Sequence, residues 1–238
     1  MLRILLYFSL VFISITANGT SIGSYYIPGL VVDEKNGLFV KMNLEVIRRS
    51  KIDAELIIQP TKRTQRAFMY GKIDAYFPEL LENIPKKELI ISKSFWLKKI
   101  ILFSLIDSDI RNLPDLKGKV VGAVKGYSYG EKIVNNPDIA LTYAKDDNAN
   151  IERLMRGYID AVIGDDISTL TAIKNSQYTN QIHYEQDKPV HVLEVFYVCQ
   201  KTPSGSALCE SINQALTDMK DEGIIKLNRT TGEAQILL

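Results

Sequence analysis

Phe68-Met69-Tyr70-Gly71-Lys72-Ile73-Asp74-Ala75 recurs further along the chain as Leu154-Met155-Arg156-Gly157-Tyr158-Ile159-Asp160-Ala161. In each copy a segment of helical period ends at a Gly, which tolerates the left-handed conformation that follows many helices. An apolar, strand-like segment follows the Asp in both copies. The recurrence therefore predicts two similar α/β units.

Polar residues follow each of the two predicted strands. Pro78-Glu79 comes after the first strand, and Gly164-Asp165-Asp166 comes after the second. Open α/β sheets hold their ligands at the carboxyl ends of the strands, so these residues are candidates for a binding site. Two such edges that face each other would enclose a cleft.

The first residues of the chain have the layout of a secretory signal. Arg3 precedes an apolar run from Ile4 to Ile15, and small or polar residues follow at positions 16–19. Because the run is short for a membrane span, it predicts a signal peptide over residues 1–17 and export of the mature chain to the periplasm. A permanent N-terminal anchor is the alternative interpretation.

Charge and motif content narrow the possible partners and chemistry. The chain of 238 residues has a formal net charge of +1, which argues against a nucleic-acid partner because such proteins present a basic patch. His183 and His191 lack metal-ligand spacing, and the sequence has no nucleophile elbow or phosphate loop. We predict no metal, no cofactor and no catalytic residue. The pair Lys98-Lys99 is interpreted as part of a solvated face.

The two cysteines are Cys199 and Cys209. Cys199 would end a strand and Cys209 would lie in the next helix. An oxidising compartment favours a structural disulfide between them, and two independent buried thiols are the alternative.

Strand and helix patterns alternate along the rest of the chain, as is typical of parallel crossovers. They predict two lobes. Lobe 1 would hold residues 18–106 and 196–238, and lobe 2 would hold residues 107–195. The chain would cross between the lobes near residues 105–109 and 192–195, and two crossings form a hinge.

The order of the motifs resembles that of one known family. Asp33-Glu34-Lys35-Asn36-Gly37 precedes a predicted helix, and Leu113-Pro114-Asp115-Leu116-Lys117-Gly118-Lys119-Val120-Val121-Gly122 lies between the two copies of the repeat. With the signal segment and the repeat, these stretches resemble the family 3 periplasmic solute-binding proteins of amino-acid-type ABC importers.

This resemblance implies the type II two-lobe α/β fold, with a mostly parallel sheet flanked by helices in each lobe and two hinge crossings. It implies a monomer that captures a small polar, amino-acid-like ligand in the cleft between the lobes. Its membrane partner would be an ABC transporter permease.

The resemblance also implies binding residues. An Arg after the first strand of the repeat would hold a ligand carboxylate, but residues 80–87 contain no Arg, and Lys86 is the replacement that we predict. A Lys is a point charge and does not match the fork of an Arg. The acidic partner of a ligand amino group falls on Asp165, and a carboxylate is what a buried ammonium needs.

Further candidates come from position alone. Ser128 would open a helix whose N-terminus faces the cleft and attracts an anion, or it would be a plain N-cap. Glu79 lies at a strand end, and Tyr25 and Phe77 are candidates for cleft walls, with the core as the alternative. Asp165 or Asp166 would be the N-cap of the next helix, and we assign the ligand to Asp165 and the cap to Asp166.

Two other functions use the same cleft. Carboxylates such as Glu79 and Asp165 could catalyse acid–base chemistry in a periplasmic enzyme, as in dehydratases that resemble this fold. A sensory module would instead pass its bound state to a membrane receptor.

Overall fold

The computed structural model describes residues 19–83 and 89–238. The predicted signal peptide and Lys86 therefore lie outside the described residues. Within the described part of the chain, no helix combines the length and the apolar character that crossing a membrane requires.

Strands and helices alternate as the sequence pattern predicts. The strands are β1 (Thr20–Ser24), β2 (Ala54–Ile58), β3 (Ala75–Leu80), β4 (Leu89–Ile91), β5 (Trp96–Leu105), β6 (Lys119–Val124), β7 (Ile139–Ala144), β8 (Ala161–Asp165), β9 (Ile182–Tyr184), β10 (His191–Gln200), β11 (Ile225–Asn228) and β12 (Glu233–Ile236). The helices are α1 (Leu38–Ser50), α2 (Thr61–Met69), α3 (Glu131–Val134), α4 (Asp147–Met155), α5 (Ser168–Lys174) and α6 (Pro203–Asp221).

The main sheet has the strand order β2-β1-β3-β10-β5-β8-β6-β7. β1 pairs in parallel with β2 and β3, and β6 pairs in parallel with β7 and β8. The two central strands, β5 and β10, are antiparallel to each other and to the strands on their outer sides. Two parallel units are thus joined through two antiparallel strands, which confirms the predicted fold class.

The two central strands carry the chain from one unit to the other. Trp96 to Ile100 of β5 pair with β10, and Ile100 to Ser104 pair with β8. β10 pairs with β5 up to Val195 and with β3 from Val195 onward. The change of partner in β5 thus lies at Ile100, whereas the sequence pattern placed the first crossing at residues 105–109. The bounds of the two lobes stay a prediction.

The repeat has the same structural role in both units. Gly71 and Gly157 follow α2 and α4 with φ angles of 65° and 71°, in the left-handed region that favours Gly. The carboxylate of Asp74 then accepts a hydrogen bond from Ser21 N at 2.8 Å, and that of Asp160 accepts one from Val120 N at 2.7 Å. The Asp of each copy therefore ties its strand to the start of the neighbouring parallel strand. It lies at the amino edge of the sheet, away from the carboxyl ends.

Apolar clusters cover both faces of each unit. In the first unit α1 and α6 pack on one face of β1, β3 and β10, and α2 covers the other face. Phe77 belongs to the larger of these clusters and is 0% exposed, with its ring centroid 4.7 Å from that of Tyr197. Phe77 is therefore a core residue, and its prediction as a cleft wall is wrong.

Cys199 and Cys209 lie in that same cluster, in β10 and α6. Both are buried free thiols in the structure. Their side chains are in contact, and this contact together with burial raises the pKa of the Cys199 thiol. The disulfide stays a prediction, and the fold places its two partners side by side.

Candidate functional site

The carboxyl ends of β6, β7 and β8 lie at one edge of the sheet because these strands run in parallel. Polar side chains follow each strand end. Tyr127 and Ser128 come after β6, Asp146 and Asp147 after β7, and Asp165 ends β8. This edge is where an open α/β sheet offers room for a ligand.

Asp165 is buried, and its two carboxylate oxygens contact different groups. Oδ1 accepts hydrogen bonds from the backbone N of Ile167 at 3.0 Å and of Ser168 at 2.6 Å, which closes the turn before α5. The predicted capping role of Asp166 is therefore wrong, because the turn brings the Asp165 carboxylate over these N–H groups. Burial and the charge of Asp165 raise the pKa of the Asp166 carboxyl.

The second oxygen of Asp165 faces Lys98 on β5. Nζ of Lys98 lies 3.5 Å from Oδ2 of Asp165 and 5.2 Å from the centroid of the Tyr127 ring. Lys98 is only 22% exposed, and the neighbouring Lys99 is buried on the other face, where it donates to the backbone O of Gln186 at 3.3 Å. The prediction of a solvated Lys98-Lys99 face is wrong, because both faces of β5 are covered.

Asp147 adds a second buried carboxylate to this edge. Thr169 Oγ1 donates to its Oδ1 at 2.6 Å, and burial, followed by the charge of Asp165, raises the pKa of the Asp147 carboxyl. Burial, with the charges of Asp147 and Asp165, also raises the pKa of Tyr127. The edge thus carries more negative than positive charge, which suits a protonated amine.

The segment that contains Ser128 is a loop. Val124 N donates to Tyr129 Oη at 2.7 Å, and the buried Tyr129 ring holds residues 125–130 against the core. α3 begins at Glu131 and has four residues, so the predicted helix start at Ser128 is wrong. Ser128 is half-buried beside Tyr127.

The start of α3 meets the segment that follows β3. Oε1 of Glu82 accepts a hydrogen bond from the backbone N of Glu131 at 3.2 Å. His191 packs on Gly130, where a side chain would collide with the imidazole and where the φ of 91° independently favours Gly. Through this contact the carboxyl edge of the first unit faces that of the second, and a carboxylate of the protein occupies the place where an anionic ligand was expected.

The polar residues of the first unit form a separate group. Glu79 is 3% exposed and accepts hydrogen bonds from Gln65 Nε2 at 3.1 Å, Tyr76 Oη at 3.0 Å and its neighbour Leu80 N at 2.9 Å. Tyr25 Oη donates a hydrogen bond to Pro78 O at 2.6 Å. Burial, and after it the charge of Glu79, raises the pKa of Tyr25. These bonds within the unit compensate for the burial of the Glu79 carboxylate.

The structure thus brings Asp165 together with Lys98, Tyr127 and Asp147, and it places Tyr25 with Glu79 in the other unit. Among the residues that the structure describes, no group of three or more His, Cys, Asp or Glu side chains is placed to hold a metal ion.

Solved structures with this arrangement of two parallel units are known. The periplasmic VFT2 domain of BvgS from Bordetella pertussis superposes with a TM-score of 0.64 at 15% identity, over 85% of this chain and 88% of that one. The chain therefore has the type II periplasmic-binding-protein fold. No family model and no curated protein matches the sequence.

Other structures with the type II fold have bound or named ligands. The GluR0 ligand-binding core from Nostoc punctiforme, solved with L-glutamate, superposes with a TM-score of 0.61 at 18% identity, over 86% of this chain and 94% of that one. The arginine-, lysine-, histidine-binding protein ArtJ from Geobacillus stearothermophilus gives a TM-score of 0.59 at 19% identity, over 86% and 90% of the two chains.

Sequence reasoning missed Lys98, Tyr127 and Asp147. Lys98 interrupts the apolar run of β5. A cation inside a buried strand needs a partner, and this could have marked Lys98 as a candidate. Asp147 looked like an ordinary residue of a helix start. Its burial depends on the packing of α4 against α5 and carries no mark in the sequence.

Proposed function

We propose that this protein is an exported solute-binding protein that captures a small amino-acid-like molecule between its two units and presents it to an ABC transporter permease. The observation that carries the proposal is the group of Asp165, Asp147 and Tyr127 at the carboxyl ends of the strands. This group lies in a type II fold whose two units are joined by β5 and β10.

The charge at this edge supports a ligand with an amino group. Asp165 and Asp147 are both buried, and a buried carboxylate gains most from a cationic partner that also donates hydrogen bonds. The named ligands of two proteins with this fold, L-glutamate and the group of arginine, lysine and histidine, all carry an amino group next to a carboxylate.

Two strands that cross between the units are the expected basis of a hinge. A ligand that contacts both units stabilises the closed arrangement, and a membrane partner can recognise that arrangement. The capture step needs no covalent chemistry.

A thermal-shift screen of the mature chain tests the proposal. The probes are the twenty L-amino acids, putrescine, spermidine and a set of small dicarboxylates, and we expect at least one amino acid to raise the melting temperature through preferential binding to the folded state. Hits are then titrated by calorimetry. A flat screen across all amino acids would contradict the proposal.

The fold also favours a second candidate, a sensory module, because the VFT2 domain of the BvgS protein is among the structures with high superposition scores. An uptake assay separates the two candidates. Loss of radiolabelled ligand uptake in a deletion strain supports transport. Normal uptake with a lost transcriptional response to the same ligand supports sensing.

Export is tested separately. We expect the N-terminal sequence of protein recovered from the periplasm to begin after residue 17, as the signal layout predicts. Recovery of the full-length chain in the membrane fraction would support the alternative of a permanent anchor.

A further inference from the structure

Lys98 is placed where the two units share a strand. Lys98 lies in the half of β5 that pairs with β10, opposite Leu193. Two residues further along β5, Ile100 pairs with Asp165 of β8. The side chain of Lys98 is on the face of β5 that carries Ile100, towards the carboxyl ends of β6 and β8. Lys98 therefore lies on a strand that the two units share.

The side chain of Lys98 is mostly covered, and its ammonium uses few of its donors. In residues 19–83 and 89–238 Nζ donates no hydrogen bond, and its contacts are the carboxylate of Asp165 at 3.5 Å and the face of the Tyr127 ring at 5.2 Å. A charge-assisted N–H···O bond is normally about 2.7–2.9 Å long. The Lys98–Asp165 pair is therefore loose.

A loosely paired ammonium in a covered position is unfavourable for the protein alone. An ammonium has three donors, and withdrawing it from water has a large cost unless those donors are satisfied. Lys99 shows the contrast, because its Nζ donates to the backbone O of Gln186. The spare donors of Lys98 are available to an anion that enters from outside.

The neighbours of Lys98 restrict what that anion belongs to. Asp165 and Asp147 are carboxylates, and they disfavour a molecule that carries only negative charge. A purely cationic molecule would meet the ammonium of Lys98. A molecule with an anionic group and an ammonium a few ångströms apart satisfies both signs, and that is the charge pattern of an α-amino acid.

We propose that Lys98 binds the carboxylate of an α-amino acid and so replaces the Arg that is missing from residues 80–87. The assignment rests on the proposed function. The ring of Tyr127 and the carboxylate of Asp165 are the groups beside the Lys98 ammonium before the ligand arrives. Lys98 thereby selects ligands with a free carboxylate, and Asp165 and Asp147 face the amino group.

The test uses the mature chain, the twenty L-amino acids and the primary carboxamide of each amino acid that binds. The carboxamide keeps the size and the amino group and lacks the negative charge. We expect calorimetry to show that the unmodified protein binds the acid at least about tenfold more tightly than the carboxamide, as for a lost hydrogen bond to a charged group.

Three variants assign this preference to a residue. Lys98→Gln should weaken binding of the acid about tenfold or more and remove the preference over the carboxamide. Lys98→Arg, which keeps the charge, should retain the preference. Lys72→Gln is the matched control, since it removes the same charge from an exposed position near Gly71, far from the carboxyl edge, and should change nothing.

The outcomes separate the two proposals. If the unmodified protein binds none of the twenty amino acids, the proposed function fails and the assignment of Lys98 fails with it. If an amino acid binds but the acid-to-carboxamide ratio is the same in Lys98→Gln, or is near one in the unmodified protein, only the assignment of Lys98 fails. A ratio near one in the unmodified protein overturns the assignment even if a variant does not fold, and Lys98→Arg and Lys98→Gln each test it independently.

Discussion

At Asp165 a single carboxylate has both a structural and a candidate binding role. One oxygen closes the turn before α5 and the other faces Lys98, so deletion of the whole side chain would confuse the two roles. Asn keeps an acceptor oxygen for the turn and lacks the charge. It is therefore the informative substitution at this position.

Asp165→Asn should leave the melting temperature nearly unchanged and weaken binding of an amino-acid ligand by about 2–4 kcal/mol, as when one partner of a buried charged pair is lost. Asp166→Asn is its neighbour control. Because burial raises the pKa of Asp166, removing that charge should keep or raise stability and spare affinity. Calorimetric titration of both variants checks this, and an affinity of Asp165→Asn within about twofold of the parent would contradict the site.

At the scale of elements, α1 and α6 are linked by a row of charges. Glu45 accepts hydrogen bonds from Arg48 and Arg49 at 2.6 Å, and Arg49 continues to Glu222 at 2.7 Å. The bond from Arg48, with that from Arg49, lowers the pKa of Glu45 to about 2. Arg49, which Glu45 holds from within α1, thus ties two helices that pack on the same apolar cluster.

A carboxyl group with a lowered pKa stabilises the fold above its unfolded value, near 4.5, and loses this contribution as the pH falls towards about 2. Glu45→Gln should therefore unfold at a lower temperature at pH 7, by an amount equivalent to about 1 kcal/mol or less, and should lose less stability than the parent between these two pH values. Thermal melts across the acid range measure both. Parallel curves for the two proteins would rule out this role.

β10 and α6 are the elements that the cysteines would join. Since Cys199 and Cys209 are in contact, their oxidation needs little movement, and a bridge over this short loop should add roughly 2–3 kcal/mol to the free energy of unfolding. Mass spectrometry without reductant, on protein from the exported compartment, should show the two peptides joined. Recovery of both thiols freely alkylated would refute the bridge.

At the scale of the whole molecule, the two units are continuous through β5 and β10, and a contact between Glu82 and Glu131 lies across them. We expect such an arrangement to move as two bodies about a hinge. Glu82 is exposed and its hydrogen bond to Glu131 is long at 3.2 Å, so this bond adds little resistance to opening.

Ligand should shift the molecule towards its closed arrangement and reduce the radius of gyration in solution scattering, because contacts with both units are made only when the units approach. The measurement compares the free protein with protein saturated by a ligand from the screen. A scattering curve that does not change at saturation would contradict closure of the two units around the ligand.

The sequence by itself determined the class of fold and the repeat of its units. The Gly and Asp of the repeat act through local turns and a bond to the neighbouring strand, and such short-range constraints leave a readable pattern. The alternation of apolar segments likewise marks strands and helices before any packing is known. The position of Asp165 at a strand end was predictable for the same reason, since it follows from the order of elements.

Only the tertiary structure decided which polar residues meet. Lys98, Tyr127 and Asp165 come from three separate strands or loops, and their contact exists only after β5 lies between β10 and β8. Burial also assigned Phe77 to the core, because the direction of a strand side chain depends on which face is covered. Long-range packing fixes these contacts, and neither local propensity nor spacing encodes it.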